Sequence, residues 1–198
     1  MAERGSVLTG PRTYAREIER GDAEFLLGLF CGDDEHAFME HPPRDADEAR
    51  AFIEWELRYS LKEERKRYFL ILCEAETDEP LGITVLTLSP SLPTGVIGYA
   101  LLPRFRGRGF AREGVSALLR FAFMGLDLHR VSAECDEENA ASLRVLESVG
   151  MRREGLLVKA RRLRYRGHER WRSVYVYGML RKEYLMRLPD GDYSPSVT

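Results

Sequence analysis

Between Val96 and Val115 an apolar run passes through a short basic, glycine-rich stretch, Arg106-Gly107-Arg108-Gly109-Phe110-Ala111-Arg112, and opens directly into a helical pattern. Gly107 and Gly109 carry no Cβ, so the backbone there can come close to a bulky anion. Arg106, Arg108 and Arg112 add positive charge beside it. A chain that runs through glycines into a helix N-terminus suits a phosphate, because the first-turn N–H groups lack intrahelical acceptors and the helix dipole favours negative charge. Two common phosphate sites are excluded by spacing. A P-loop needs Gly-x-x-x-x-Gly-Lys-Ser/Thr, and no such Lys-Ser/Thr pair is present. A dinucleotide fingerprint begun at Gly107 would need glycine where Arg112 stands. A basic surface turn is the alternative reading.

About thirty residues further on, after the short segment Arg130–Cys135, comes Asn139-Ala-Ala-Ser142-Leu-Arg-Val-Leu146-Glu-Ser-Val-Gly150-Met151. The two segments together resemble the GNAT superfamily of acetyl-coenzyme A N-acyltransferases. Arg106-x-x-Gly109-x-Ala111 is similar to its Gln/Arg-x-x-Gly-x-Gly/Ala loop, and Asn139 to Met151 is similar to its Asn-x-x-Ser/Ala…Leu/Val-Gly-Phe/Met helix. Serine at position 142 looks like the Rim branch, which acetylates the N-termini of ribosomal proteins. The resemblance extends over roughly residues 10–185, but its specificity lies in 96–151.

The resemblance implies acetyl-coenzyme A as cosubstrate and no metal. It places Arg106, Gly107, Arg108, Gly109, Phe110 and Ala111 around the pyrophosphate. Leu101 and Leu102 fall beside the pantetheine arm, on a central strand that splays from its neighbour so that exposed backbone groups pair with the cosubstrate as with an added strand. Asn139 and Ser142 fall at the thiol end, with Ser142 as the catalytic residue that hydrogen-bonds the sulfur. The other reading of Ser142 is a helix serine bonded to its own backbone.

This chain departs from the family pattern at two positions. Many members carry a glutamate two residues before the glycine that matches Gly98, and here that position is Val96. Many carry a tyrosine seven residues after the helix asparagine, as acid for the leaving thiolate, and here it is Leu146. The general base is therefore unassigned. His168 and Glu169, placed in the loop between the last two strands, are candidates, His41 and Glu40 weaker ones, and water another. Acyl transfer needs a neutral amine. At pH 7 deprotonation costs on the order of 1 kcal/mol for an α-amine and about 4.6 kcal/mol for a lysine. An enzyme without a strong base should therefore favour the α-amine.

The elements that must position these residues follow from periodicity. Thr13–Glu17 reads as a strand, Asp22 as the N-cap of a helix through Phe30, and Cys31–Pro43 as a loop. Asp45-Ala-Asp-Glu48 reads as a capping box for a helix to about Ser60, with Ala49, Phe52, Ile53 and Leu57 on its apolar face. Arg67–Glu74 and Leu81–Leu88 read as a hairpin, and Gly95–Leu102 as the next strand, ended by Pro103. Val115, Leu118, Leu119 and Ala122 mark the helix after the loop. Gly150 suits the stop of the 139–149 helix, and Arg152–Ala160 with Trp171–Leu180 closes the sheet. Pattern alone gives a mixed α/β (α+β) sandwich with one central sheet. The resemblance makes it a GNAT-type, mostly antiparallel sheet flanked by helices.

A single acetyltransferase domain is expected over 12–188, with a loose segment 1–11 and a polar tail 189–198. The formal net charge of −2 argues against a protein that coats nucleic acid. Local positive charge is concentrated between Lys159 and Arg172, where Arg161, Arg162, Arg164, Arg166 and Arg170 face only Glu169 in sequence. That run is either a solvated hairpin or a patch for an acidic acceptor, a ribosome surface or RNA. No apolar run is long enough for a membrane span, and residues 1–12 lack the apolar core of a secretory signal. Cys31, Cys73 and Cys135 are scattered and odd in number, which fits neither a disulfide framework nor zinc spacing. A reducing cytoplasm is the expected location. The reading is N-acetylation of a primary amine, best a protein N-terminus. A small-molecule amine and a catalytically weak acyl-coenzyme A-binding protein are the alternatives, and a homodimer is left open.

Overall fold

The computed structural model describes residues 6–30, 42–62, 64–165 and 168–188. The chain forms β1 (Ser6–Thr9), β2 (Thr13–Glu17), α1 (Ala23–Phe30) and α2 (Ala46–Ser60), then β3 (Arg67–Glu74), β4 (Pro80–Leu88) and β5 (Thr94–Leu101). It continues with α3 (Phe110–Arg120), β6 (Arg130–Asp136), α4 (Ala140–Ser148), β7 (Arg152–Tyr165), β8 (His168–Leu180) and α5 (Arg181–Leu185). The eight strands make one sheet in the order β1-β2-β3-β4-β5-β6-β8-β7. Every neighbouring pair is antiparallel except β5 with β6. This is the mixed, mostly antiparallel sheet that the sequence reading expects.

The central strands β3 and β4 are apolar without alternation because helices cover both faces. Phe69 of β3 meets Phe52 of α2 edge to face, with ring centroids 5.1 Å apart. Leu72 of the same strand lies under α3, where a Cβ on Gly114 would stand 2.9 Å from its Cδ2. Side chains alternate along a strand, so positions 69 and 72 face opposite sides, and α2 and α3 do too. Gly114 lets α3 settle close enough for Val115, Leu118 and Leu119 to be buried with Ala122 against the sheet.

Local chemistry explains most element ends. Asp45 caps α2 by accepting from the Asp47 and Glu48 N–H groups at 3.0 and 2.8 Å. Glu48 reaches past the cap to the Arg44 N–H, 3.0 Å away, so the reciprocal arm of the expected box is shifted by one residue. Gly150 follows α4 at φ +87°, the left-handed conformation that glycine adopts without strain.

Three expectations are corrected, and one element is added. Asp22 does not cap α1. It ends a 3-10 turn (Arg20–Asp22), and its buried carboxylate takes two bonds from Arg16, at 2.8 and 2.7 Å, and one from the Glu19 N–H. A bidentate arginine satisfies a buried carboxylate better than a solvated helix end does. Residues 6–9, within the segment expected to be loose, pair with β2 as an edge strand. The last hairpin is longer than its apolar pattern: His168 and Glu169 are the first residues of β8, paired with Tyr165 and Arg164, and not a loop. Pairing is interrupted between Leu157 and Arg161, where Lys159 has φ +48°, and the ladder then resumes through charged residues. Finally, α5 follows β8 directly, with Glu183 accepting from the Leu180 N–H at 2.8 Å. The loop read over Cys31–Pro43 falls outside the described residues up to position 41, and the tail 189–198 wholly so.

Candidate active site

The site begins where β5 and β6 part. Their parallel pairing covers only Thr94–Ile97 against Arg130–Ala133. Beyond it β5 stays bonded to β4 as far as Leu101, and β6 stays bonded to β8 as far as Asp136. The two strands are held by opposite neighbours, so the sheet opens between them. The backbone of Gly98–Leu101 faces that opening on the side where β6 would otherwise pair. A cavity of about 530 Å³ lies there, walled by β5, the glycine loop, the start of α4, and Leu29, Phe30 and Pro42.

One end of the cavity is the glycine loop. Leu102 donates its N–H to Leu81 O at 2.9 Å, and Pro103–Phe105 then turns away as a 3-10 turn. Gly107 has φ +74° and Gly109, the N-cap of α3, has φ +88°. L-residues avoid both conformations. A Cβ at Gly107 would meet nothing within 4 Å, so the loop leaves open space for a bulky group beside the first N–H groups of α3.

The loop is tied down from a distance. Arg12, in the turn between β1 and β2, donates Nη2 to the Arg108 carbonyl at 3.0 Å. It also donates Nε to Glu113 Oε1 at 2.7 Å and its own N–H to Glu113 Oε2 at 3.0 Å. Its guanidinium lies 4.8 Å from the centre of the Phe110 ring.

The predicted cosubstrate residues divide into two groups. Leu101, Arg106, Gly107, Gly109, Ala111, Asn139 and Ser142 all line the cavity. Leu102 and Phe110 are buried in the core, and Phe110 packs edge-on against Phe105. Arg108 turns toward Glu74, 3.9 Å away. Arg106 donates Nε and Nη2 to the Leu101 carbonyl, each at 3.1 Å, which ties the loop to the end of β5.

The other end of the cavity is the start of α4. Asn139 caps it by accepting the Ser142 N–H at 3.0 Å, which sets Ser142 in the first turn with its hydroxyl toward β5. Tyr99, on β5 opposite Thr84, brings its phenol oxygen to 2.6 Å from Ser142 Oγ and 3.0 Å from Ser142 O. Sequence reasoning passed over Tyr99 as one aromatic in an apolar strand. Burial pushes its phenol above the usual tyrosine range, which already lies above neutral pH. Leu146, where many family members carry tyrosine, is 1% exposed and belongs to the core.

The acid–base candidates are not drawn together. Val96 is 50% exposed, between Thr87 and Ser132. The side chains of His168 and Glu169, and all of Glu40 and His41, lie outside the described residues. Glu138 is the one carboxylate among the described residues that line the cavity, and Arg172 Nη1 lies 2.6 Å from its Oε2.

Three of the described hairpin arginines are ion-paired. Arg172, 4% exposed, also binds Asp136 through Nε at 2.8 Å and Nη2 at 2.6 Å. Arg161 binds Glu134 at 2.9 Å, and Arg170 lies 3.5 Å from Glu138. The opposing charges come from β6 and the turn after it, not from the hairpin's own sequence.

Residues 12–152 match the family model for the acetyltransferase (GNAT) domain. The chain belongs to the GNAT acetyltransferase family. It is 30% identical over 175 residues to the uncharacterized N-acetyltransferase p20 of Bacillus licheniformis, covering 87% of this chain and 95% of that one. Two solved structures share the fold. A putative ribosomal-protein-serine acetyltransferase from Vibrio cholerae aligns with TM-score 0.72 at 23% identity, covering 91% of this chain and 99% of that one. A chimera of the Vibrio cholerae spermidine N-acetyltransferase SpeG and hSSAT aligns with TM-score 0.73 at 24% identity, covering 89% and 99%. This GNAT protein is thus an N-acetyltransferase, and the cosubstrate of its family is acetyl-coenzyme A. Among the described residues no helix is long and apolar enough to cross a membrane, and no cluster of His, Cys, Asp and Glu is suited to a metal ion.

Proposed function

We propose that this protein transfers the acetyl group of acetyl-coenzyme A to an amine that is partly neutral near pH 7, best a protein N-terminal α-amine as in the Rim branch. The observation that carries the acceptor class is the state of Glu138. It is the one carboxylate among the described cavity residues, and Arg172 already holds it. With Val96 on the central strand as well, no base stands free among the described cavity residues, and this reading assigns deprotonation to water. That suffices for an α-amine and leaves a lysine about 3.4 pH units short of its pKa at pH 7.

The residues fit the cosubstrate. The edge of Gly98–Leu101 that β6 leaves open offers backbone groups to the pantetheine amides, as a missing strand would, apart from the Leu101 carbonyl, which Arg106 holds. The N–H groups around Gly107 and Gly109, at the start of α3, receive the pyrophosphate. The amine nitrogen attacks the thioester carbonyl, the tetrahedral adduct collapses, and the carbon–sulfur bond breaks with its electron pair on sulfur. The nitrogen loses its proton to water. Ser142, at the lip of the cavity, donates a hydrogen bond to the sulfur as negative charge develops there.

The experiment is thiol release from acetyl-coenzyme A over a panel of amines: peptides with free N-termini, the same peptides blocked, spermidine and an aminosugar. Acetylation of the unblocked peptides supports the reading. Turnover restricted to spermidine or the aminosugar would keep the chemistry and replace the acceptor class. Coenzyme A binding without turnover on any amine would leave a binding protein.

A further inference from the structure

The Ser142 hydroxyl has one proton and two lone pairs. That proton serves a departing thiolate only if it is not already given to a neighbouring acceptor. Ser142 Oγ has two side-chain neighbours, the Tyr99 phenol at 2.6 Å and the Cys135 thiol, which is a weak acceptor. Tyr99 Oη also lies 3.0 Å from Ser142 O, and since either hydroxyl can be the donor, two arrangements are open between them. In one, Ser142 donates to Tyr99 and Tyr99 donates to the carbonyl, so the serine proton is used up inside the protein. In the other, Tyr99 donates to Ser142 Oγ, and the serine proton is free to turn into the cavity that both residues line.

At rest the two distances admit either arrangement. The shorter contact, to Oγ, couples the two hydroxyls directly, and charge on the sulfur selects between them. The phenol donates in both arrangements, to the Ser142 carbonyl in the first and to Oγ in the second, so it is the need for the serine proton at sulfur that sets the order. A thiolate forming in the cavity reinforces that order, because its charge attracts the serine proton and lines up both O–H bonds toward it. Tyr99 is fixed for this task by its register opposite Thr84 in the β4–β5 ladder, while Ser142 is fixed by the Asn139 cap.

We propose that Tyr99 is a positioning residue: its phenol donates to Ser142 Oγ and thereby holds the serine hydroxyl as a hydrogen-bond donor to the departing coenzyme A thiolate. Both residues keep their protons throughout. The sulfur leaves with the bonding pair and later takes a proton from water, matching the one that the amine nitrogen gave up. Burial, which raises the Tyr99 phenol, keeps it in the donating form.

This inference rests on the reading of Ser142 as the residue at the sulfur, and a double-mutant cycle separates the two. Tyr99→Phe, Ser142→Ala and the double variant are compared for kcat and for the acetyl-coenzyme A KM, using the fastest amine of the panel. Melting temperature and calorimetric coenzyme A affinity verify that each variant is folded. Tyr99→Phe is expected to lower kcat about 5- to 30-fold with KM unchanged, and to have no effect in the Ser142→Ala background. An unchanged kcat in Ser142→Ala would overturn the reading of Ser142, and this inference with it. A loss in Ser142→Ala with none in Tyr99→Phe would overturn the role of Tyr99 alone. So would a Tyr99→Phe loss of the same size in both backgrounds, since the phenol would then act without the serine.

Discussion

Arg12 and Glu113 stand 101 residues apart in sequence and are joined in the structure by three contacts from Arg12, two through its guanidinium and one through its own N–H. The same guanidinium holds the Arg108 carbonyl, so a turn at the edge of the sheet fixes the glycine loop at the start of α3. Because Arg12 is half exposed, the pair contributes little to global stability, on the order of 1 kcal/mol or less. Its effect is on loop order. Arg12→Ala should weaken coenzyme A binding roughly 3- to 10-fold, as ordering cost moves to the binding step, and leave the melting temperature nearly unchanged. Calorimetry together with a thermal melt checks this, and an unaltered affinity would remove Arg12 from the site.

Gly109 presents the opposite problem, that of adding a side chain. Its φ of +88° is strained for any residue with a Cβ, and a Cβ there would come 3.2 Å from Arg12 Nη2. Gly109→Val should reduce coenzyme A affinity by at least 10-fold, through backbone strain of about 1–3 kcal/mol and crowding of the N–H groups. A folded variant with wild-type affinity would show that the pyrophosphate binds elsewhere.

On the buried face of α2, Glu56 is 3% exposed and accepts from Arg67 Nε at 2.8 and 3.2 Å. Burial holds its carboxyl above the ordinary range even beside the arginine. A folded-state pKa above the unfolded value of about 4.3 favours folding in acid, and that contribution is lost as pH rises through the folded pKa. Arg67→Met removes the counter-charge and raises the carboxyl further. The variant should lose roughly 3–5 kcal/mol at pH 8 and distinctly less at pH 5, where Glu56 can take up a proton. Denaturant titrations at the two pH values test the sign, and equal losses at both would contradict it.

What the sequence made legible is local. The turn at Gly107 and Gly109 and the start of the helix at Asn139 are legible because each depends on a few neighbouring residues: glycines for positive φ, and a side-chain cap on the N–H three residues on. The helix 110–120 and the strands 67–74 and 80–88 were readable from period and composition. What was not legible depends on partners far away in the chain. Tyr99 matters through a residue 43 positions on, across an opening that exists only because β5 and β6 follow different neighbours. The arginines of the last hairpin looked unopposed because Glu134, Asp136 and Glu138 belong to another strand and the turn after it. Arg161, Arg170 and Arg172 therefore lend no support to an acidic acceptor. Asp22 departs from a capping role through a nearer partner, since Arg16, six residues before it on β2, takes its carboxylate.

The central claim is that acetyl transfer here relies on an amine already able to lose its proton to water. The direct measurement is competitive acetylation of peptides that carry one free α-amine and one lysine, read by mass spectrometry from pH 6.5 to pH 9. The account predicts that the α-amine is modified first and predominantly at pH 7, with the lysine gaining only as pH approaches its own pKa of about 10.4. Predominant lysine acetylation at pH 7 would contradict it, and would require a base strong enough to supply the remaining 4.6 kcal/mol or so.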